Sequence, residues 1–456
     1  MGIDRPSVAG TDSIWPSPLL AWYAVGLFNV ALLSSFIDRQ ILSLLVGPIK
    51  HDLQITDTGM SLLMGFAFAL FYVLVGIPIA RLADSKSRRL VIGVGIALWS
   101  CMTACCGIAK NYWQLFIARV GVGVGESSLS PAAISMLSDM FPKDKLPLAA
   151  SLFAMGSSLG MAVALLLGGA VITLIAGTPD INLPLIGTIH AWQVTFIIVG
   201  LPGLLIAALM STVREPPRRG IMQIGPGTES GKPKPLPIRA ILGLIYRDRR
   251  VYLPIFLALA LSSLQMFGVS MWVPTFFIRT YGWDAGYTGL MQGTVTLIGA
   301  PLGMIAGGTL ASWYSRRGIH DANIRVVLIA SVAIIPFAVL YPLMTSPWLA
   351  LLLYGGNMFI ASMTAGPAAA ALQTISPNQM RAQILALSYL ILNLVGYGLG
   401  PTAVALLTDY VFVREDALHL SMSLLAVILA PLAALITWFG LKPYGESVAR
   451  AENWAV

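Results

Sequence analysis

Four ionisable residues stand inside long apolar stretches of this 456-residue chain: the adjacent pair Asp38 and Arg39, then Arg119 and Glu126, seven residues apart. A charge near mid-bilayer costs roughly 2.5–3.5 kcal/mol even on the mildest scale, so such residues usually face an internal cavity and carry function. Arg119 and Glu126 are two helical turns apart and project from nearly one face. At 1.5 Å per residue, Asp38 lies about 10 residues from one end of its stretch and Arg119 about 7 from the matching end of its own, within roughly 5 Å in depth. The spacing predicts that they pair across a cavity. With all four ionised the cluster is neutral, and protonating either acid leaves it positive, a device for coupling a proton to the movement of another solute.

Glu126 is expected to be the titrating proton site, because it stands farther from Arg119 than direct contact favours. Asp38 is expected to be the standing partner of Arg39 or Arg119. Protonation of Glu126 then frees Arg119 to re-pair with Asp38 or with an anionic head group. A fixed structural ion network is the alternative reading of the same residues. Gly121, Gly123 and Gly125, between Arg119 and Glu126, permit close approach of a neighbouring helix or of a ligand, and the sequence leaves both open.

Enzymatic chemistry finds little support. His51, His190, His320 and His419 show no ligand spacing, so no metal site is expected and no cofactor beyond a coupling proton. Cys101, Cys105 and Cys106 crowd one apolar stretch, where cysteine is a small packing residue.

The elements that position these charges belong in lipid. With 57% hydrophobic and 11% charged residues and a mean hydropathy of +0.80, the chain has more apolar surface than a soluble core absorbs. About 20 apolar residues cross a bilayer as helix, and twelve such spans are expected near 19–47, 57–82, 89–109, 112–139, 147–176, 191–213, 251–279, 285–313, 323–344, 347–375, 381–409 and 417–440. The fold class is therefore an all-α membrane protein, two pseudo-symmetric six-helix bundles at 19–213 and 251–440. Segment 1–18 precedes them, a Gly/Pro/Lys-rich linker at 214–250 joins them, and a tail at 441–456 follows. Ile238, Ile241, Leu242 and Ile245 would give the linker's end a surface-lying apolar side.

Placing both termini in the cytoplasm puts only Lys50, Lys110, Arg279 and Arg414 of the 28 basic residues in outer loops. That asymmetry follows the positive-inside rule. The net charge of +8 thus reflects topology and contact with membrane lipid, with no nucleic-acid partner expected. Short loops favour a bacterial inner (plasma) membrane.

Residues 80–89 (ARLADSKSRR) and 308–317 (GTLASWYSRR) are copies sharing five of ten positions. Duplicated bundles facing a shared site make an alternating-access carrier. Asp84 with Arg88 and Arg89, and Arg316 with Arg317, are expected to form a cytoplasmic gate that latches the halves; Ser312 stands where the second copy lacks the acid. Positive-inside anchoring is the simpler alternative.

Over nearly its whole length the chain resembles the major facilitator superfamily. Ala80, Leu82, Ala83, Asp84, Arg88 and Arg89 match the signature loop between the second and third helices, with Ala80 replacing its first glycine. A closer resemblance is to the Spinster branch, carried by DRQILSLLVGPIKHDLQITDTGMSLL from Asp38, ARVGVGVGESSLSPAAISMLSDMFP from Ala118, and VREPPRRG from Val213. The resemblance implies carriers of sphingosine phosphate or lysophospholipids, acting as monomers. The second half offers neutral or aromatic cavity candidates, Gln265, Trp272, Tyr354, Asn357, Tyr389 and Asn393, beside Gln373 and Tyr397. A cavity charged on one wall and aromatic on the other suits an amphipathic solute, and equally a hydrophobic drug. Met161 follows Gly160 where the superfamily's antiporters place proline, so symport and antiport stay open. A drug exporter, an organic-anion transporter and a non-transporting sensor are the alternatives.

Overall fold

The computed structural model describes residues 15–142, 144–184, 187–218, 238–377 and 380–452. Most of the expected N-terminal segment and the Gly/Pro/Lys-rich part of the linker lie outside these residues. The first bundle holds span 1 (Pro18–Leu44), span 2 (Asp57–Ser61, Leu62–Phe66 and Ala67–Ser85), span 3 (Arg88–Cys106), span 4 (Tyr112–Glu126 and Leu129–Met140), span 5 (Leu146–Ile175) and span 6 (Ala191–Met210). The second holds span 7 (Arg249–Tyr281), span 8 (Ala285–Arg316), span 9 (Ala322–Leu340), span 10 (Pro347–Ser362 and Ala365–Thr374), span 11 (Arg381–Ile391, Leu392–Leu399, Gly400–Leu406 and Leu407–Phe412) and span 12 (Leu418–Glu452). Among the described residues, eleven of these are long and apolar enough to cross a membrane. Span 4 is the twelfth, interrupted at Ser127 and Ser128, whose hydroxyls donate to the Val124 and Gly125 carbonyls. Such back-bonding offers the backbone an alternative partner and weakens the helix where Glu126 sits.

Side-chain oxygens at the turns start the spans. Thr56 accepts from the Gly59 amide, Ser87 from Leu90, Asn111 from Gln114 and Asp284 from Tyr287. Each satisfies a donor that an uncapped helix leaves unpaired. Bulky side chains such as Leu74, Leu174, Leu205, Leu352 and Trp438 point outward, the surface expected to meet lipid.

Two boundaries differ from the sequence expectation. Span 12 runs on to Glu452 with Tyr444 and Val448 buried, so much of the expected tail is helix packed on the bundle. The linker helix, Ile238–Arg247, seats Ile241 and Leu244 against Val251, Tyr252 and Tyr444, whereas Leu242 is exposed. The second bundle offers an apolar surface of its own, and this takes the 3.6-residue stripe through Ile241 and Leu244.

The halves meet backbone to backbone where Gly65 of span 2 faces the Tyr397 oxygen of span 11 and where spans 5 and 8 cross. A Cβ built on Gly289 would lie 2.7 Å from the Leu165 carbonyl oxygen, and one on Gly169 would lie 2.7 Å from that of Gly286. Only glycine permits this backbone approach. The run Gly121, Gly123, Gly125 serves the same end inside the first bundle, facing Met102, the Phe68 backbone and Trp99 respectively. Of the two readings open for these glycines, the contacts seen are those of helix packing.

Candidate functional site

Spans 1 and 4 run antiparallel, so their charges meet in two tiers. In the tier nearer the termini, Glu126 Oε2 accepts from Ser35 Oγ at 2.6 Å, from Arg39 Nε at 2.8 Å and from Arg39 Nη2. Ser35 and Arg39 are four apart in sequence and share a helix face. Glu126 is 3% exposed, and its Oε1 is buried without a hydrogen-bond partner. In the other tier, Arg119 donates from Nη1 to the Asp38 main-chain oxygen at 3.2 Å and from Nε to the Leu63 oxygen at 3.4 Å. Asp38 Oδ2 accepts from Thr103 Oγ1 at 3.0 Å. Asp38 Oδ1 and Arg119 Nη2 are likewise buried and unbonded.

The partners differ from the expectation. Arg39, not Arg119, holds Glu126, because seven residues of rise separate Arg119 and Glu126 by roughly 10 Å along span 4. Arg119 reaches Asp38 through its main chain, and among the described residues no ion pair joins Asp38 to either arginine. Adjacent positions on a helix diverge by about 100°, which turns the Asp38 carboxylate to span 3 and the Arg39 guanidinium to span 4.

Arg39 is also ringed by aromatics. Its guanidinium carbon lies 4.3 Å from the Phe68 centroid, 5.3 Å from Phe36, 5.6 Å from Tyr72 and 5.9 Å from Tyr397. All four fall in cation–π range. Tyr397 comes from the second half, on a π-helical stretch of span 11, and stacks on Phe267 at 3.9 Å. Arg39 therefore touches both bundles.

The other second-half candidates are dispersed. Trp272 is fully buried and donates to the Pro401 oxygen at 2.9 Å, tying span 7 to span 11. Gln265 is buried on the same span. Tyr354 approaches Thr296 at 3.4 Å, and Asn357, one turn on, keeps a buried, unbonded Oδ1. Tyr389 is 60% exposed and accepts, through its main-chain oxygen, the Asn393 amide at 2.8 Å.

A second ionic cluster, which sequence reasoning left among outer-loop charges, closes the face opposite the termini. Asp57 takes Arg279 through two nitrogens at 2.7 Å and Lys50 at 2.5 Å. Glu415 adds a contact to Lys50 at 2.9 Å, and Asp409 accepts from the Thr58 amide at 2.7 Å and hydroxyl at 2.6 Å. Lys50, Asp57 and Thr58 belong to the first half, the other three to the second. Among the described residues, the hydrogen bonds and ion pairs joining the halves lie between this far face and mid-depth.

The sequence matches the Major Facilitator Superfamily over residues 28–401. The chain belongs to that superfamily. It is a multi-pass membrane transporter rather than an enzyme. It is similar to an MFS-type efflux pump of Mycolicibacterium smegmatis, 26% identical over 94% of this chain and 95% of the relative. A probable L-galactonate transporter of Escherichia coli is 25% identical over 74% and 72%, and the sphingosine-1-phosphate transporter SPNS2 of Xenopus tropicalis 24% identical over 64% and 55%. In fold it resembles a bacterial homologue of the human lysosomal transporter Spinster, solved inward-facing and unoccupied, with a TM-score of 0.75 and 23% identity over 95% of this chain and 98% of that one.

The superfamily's signature loop shows what its arginines do here. Arg88, 1% exposed, donates to Asp139, to Glu215 at 2.9 Å, to the Ser135 oxygen at 3.0 Å and to the Pro216 oxygen at 3.0 Å. Arg89 reaches the Ser211 and Val213 oxygens at 3.2 and 3.4 Å. Burial pushes the Glu215 carboxyl up, but the Arg89 amide, the Arg88 guanidinium and the Ser87 hydroxyl together hold it below its ordinary value. The side chain of Asp84 lies outside the described residues. In the second copy, Arg317 stacks 3.7 Å from the Trp313 centroid and Arg316 is exposed. The first copy thus binds spans 2, 3, 4 and 6 of one bundle together, and no bond among the described residues carries either copy across to the other half.

Proposed function

We propose that this superfamily member is a proton-coupled, alternating-access carrier of an amphipathic, lipid-like solute of the lysophospholipid or sphingolipid class, working as a monomer in a bacterial inner membrane with both termini cytoplasmic. The observation that carries it is the Arg39–Glu126 pair, buried in the first half and capped by an aromatic ring of the second. Glu126 spends one oxygen on three hydrogen bonds and leaves the other free to take a proton. A proton there would remove the charge that holds Arg39. The freed guanidinium would turn to an anionic head group, and its rings, Tyr397 among them, would shift with it. Asp38 Oδ1 and Arg119 Nη2 offer a second acceptor and donor at the same depth. Aromatic faces suit an acyl or sphingoid chain, and the sphingosine-1-phosphate transporter SPNS2 among the relatives lends weight to that class.

A second reading, efflux of drugs or transport of organic anions, draws on the efflux pump and the L-galactonate transporter among the relatives. Flux of labelled lysophospholipid, sphingosine phosphate and a hexonate into liposomes, with a pH gradient of either sign, separates them. Gradient-following flux of the lipids alone supports the first reading. Gradient-following flux of the hexonate alone transfers the same machinery to small anions, and gradient-independent flux overturns proton coupling.

A further inference from the structure

A cleft of about 570 Å³ opens at the far face, away from the mid-membrane charges. Its floor is apolar: Leu44 and Leu45 from the end of span 1, Ile172 and Ile175 from span 5, and Ile278 from span 7. Its rim carries Asp52, Asp180 and Asp284 with His51 and His190, and among the described residues no lysine or arginine lines it. Trp192 and Trp283 stand on the same rim. Trp192 is buried with its indole N–H on Asp52, and Trp283 packs on Phe277. The volume is within the range of small-ligand sites, roughly 300–1,000 Å³.

We propose that this cleft is a binding site for a single-chain amphiphile bearing an ammonium head group. The chain lies on the isoleucine and leucine floor and the cation sits among the rim carboxylates, within reach of indole faces. Charge complementarity selects the occupant, because an anionic head would meet three carboxylates and no fixed positive charge. The site does not depend on Glu126 carrying the coupling proton.

Two imidazoles also face the rim carboxylates. His190 places Nδ1 3.1 Å from Asp180 and Nε2 3.7 Å from Asp52, while His51 Nδ1 lies 3.4 Å from Asp52. Asp52 also accepts from the Trp192 indole at 2.5 Å, and Asp284 caps span 8 through the Tyr287 amide. Lys50 and Arg279, next in sequence to the lining residues His51 and Ile278, are held by Asp57, and Lys110 is turned to the Thr188 oxygen.

The test is photolabelling of the full chain in nanodiscs of an uncharged glycolipid, using a diazirine-bearing long-chain alkyltrimethylammonium and mapping labelled peptides. Labelling around 44–48 and 172–176 should exceed that by an alkyl sulfate of equal length about tenfold, and should fall about tenfold in Asp52→Asn/Asp180→Asn. Asparagine keeps an acceptor for Trp192, and an unchanged unfolding midpoint confirms the fold. Ala176→Trp, which fills the cleft, should abolish labelling. Protection by excess unlabelled long-chain ammonium but not by choline supports the apolar floor; protection by choline alone overturns it. Equal labelling by the sulfate, or undiminished labelling in the folded double variant, overturns the site.

Discussion

The two ionic clusters of this transporter are built on opposite plans. At the far face every charged group of Asp57, Lys50 and Arg279 meets an opposite charge, and two of the pairs, Lys50–Glu415 and Asp57–Arg279, join the halves. At mid-membrane the ion pair lies within one half, and Asp38, Arg119 and Glu126 each keep one buried atom unbonded. A fully matched cluster is a fastening, stable until both partners move. An under-matched one has capacity left for a proton or a ligand, which is where unsatisfied buried atoms acquire meaning.

The sharpest way to break that contrast is at Glu126. Glu126→Gln retains the shape but not the charge, and gradient-driven flux in liposomes should fall by more than tenfold and lose its dependence on the sign of the pH gradient. If Glu126→Gln still follows the gradient, the mid-membrane cluster is a fastening too. Next in size is the contrast between the duplicated loops. Arg88→Ala breaks the buried pairs to Asp139 and Glu215 and should cost about 3–5 kcal/mol, the usual penalty for breaking a buried pair. Its unfolding midpoint in detergent should drop sharply, while that of Arg316→Ala should scarcely move.

A smaller effect is expected at the far face. Asp57→Asn weakens the grip on Arg279 and Lys50 and should raise far-face accessibility of a cysteine placed at Ser43 about tenfold, equivalent to some 1.4 kcal/mol. Unchanged labelling would mean that the cluster merely decorates a contact made elsewhere. The smallest effect concerns Glu215, whose carboxyl is held below its ordinary value of 4.5. A lowered folded value gives stability that is full above the ordinary value and is lost as pH falls through the folded one. The difference in unfolding midpoint between wild type and Glu215→Gln should thus be constant near neutrality and close below pH 4.5.

Composition and apolar length made the helical architecture legible, and the four intramembrane charges stood out because lipid makes them expensive. Their pairing was less legible. Depth counting brought Asp38 and Arg119 to one level, but it could not show that Arg119 would bond to main-chain oxygens. The i, i+4 relation of Ser35 and Arg39 was readable, and it marked the face that meets Glu126. The far-face cluster was hidden for another reason: Asp57 and Arg279 are 222 residues apart, and each alone looks like an ordinary loop charge. The ring around Arg39 required Tyr397 from the other half, a register that only the packing of spans 2 and 11 sets.

The glycine crossing of spans 5 and 8 gives the far-face seal a component that ionic strength does not touch. Glu415 is 67% exposed along its side chain, so its contribution at the rim fades as salt screens it over a Debye length of about 8 Å under physiological conditions. Gly169 against Gly286, and Gly289 against Leu165, hold by shape alone. Brine should therefore loosen the rim while the seam below stays shut, and opening should proceed as a peel that begins at the charged edge and ends at the glycines.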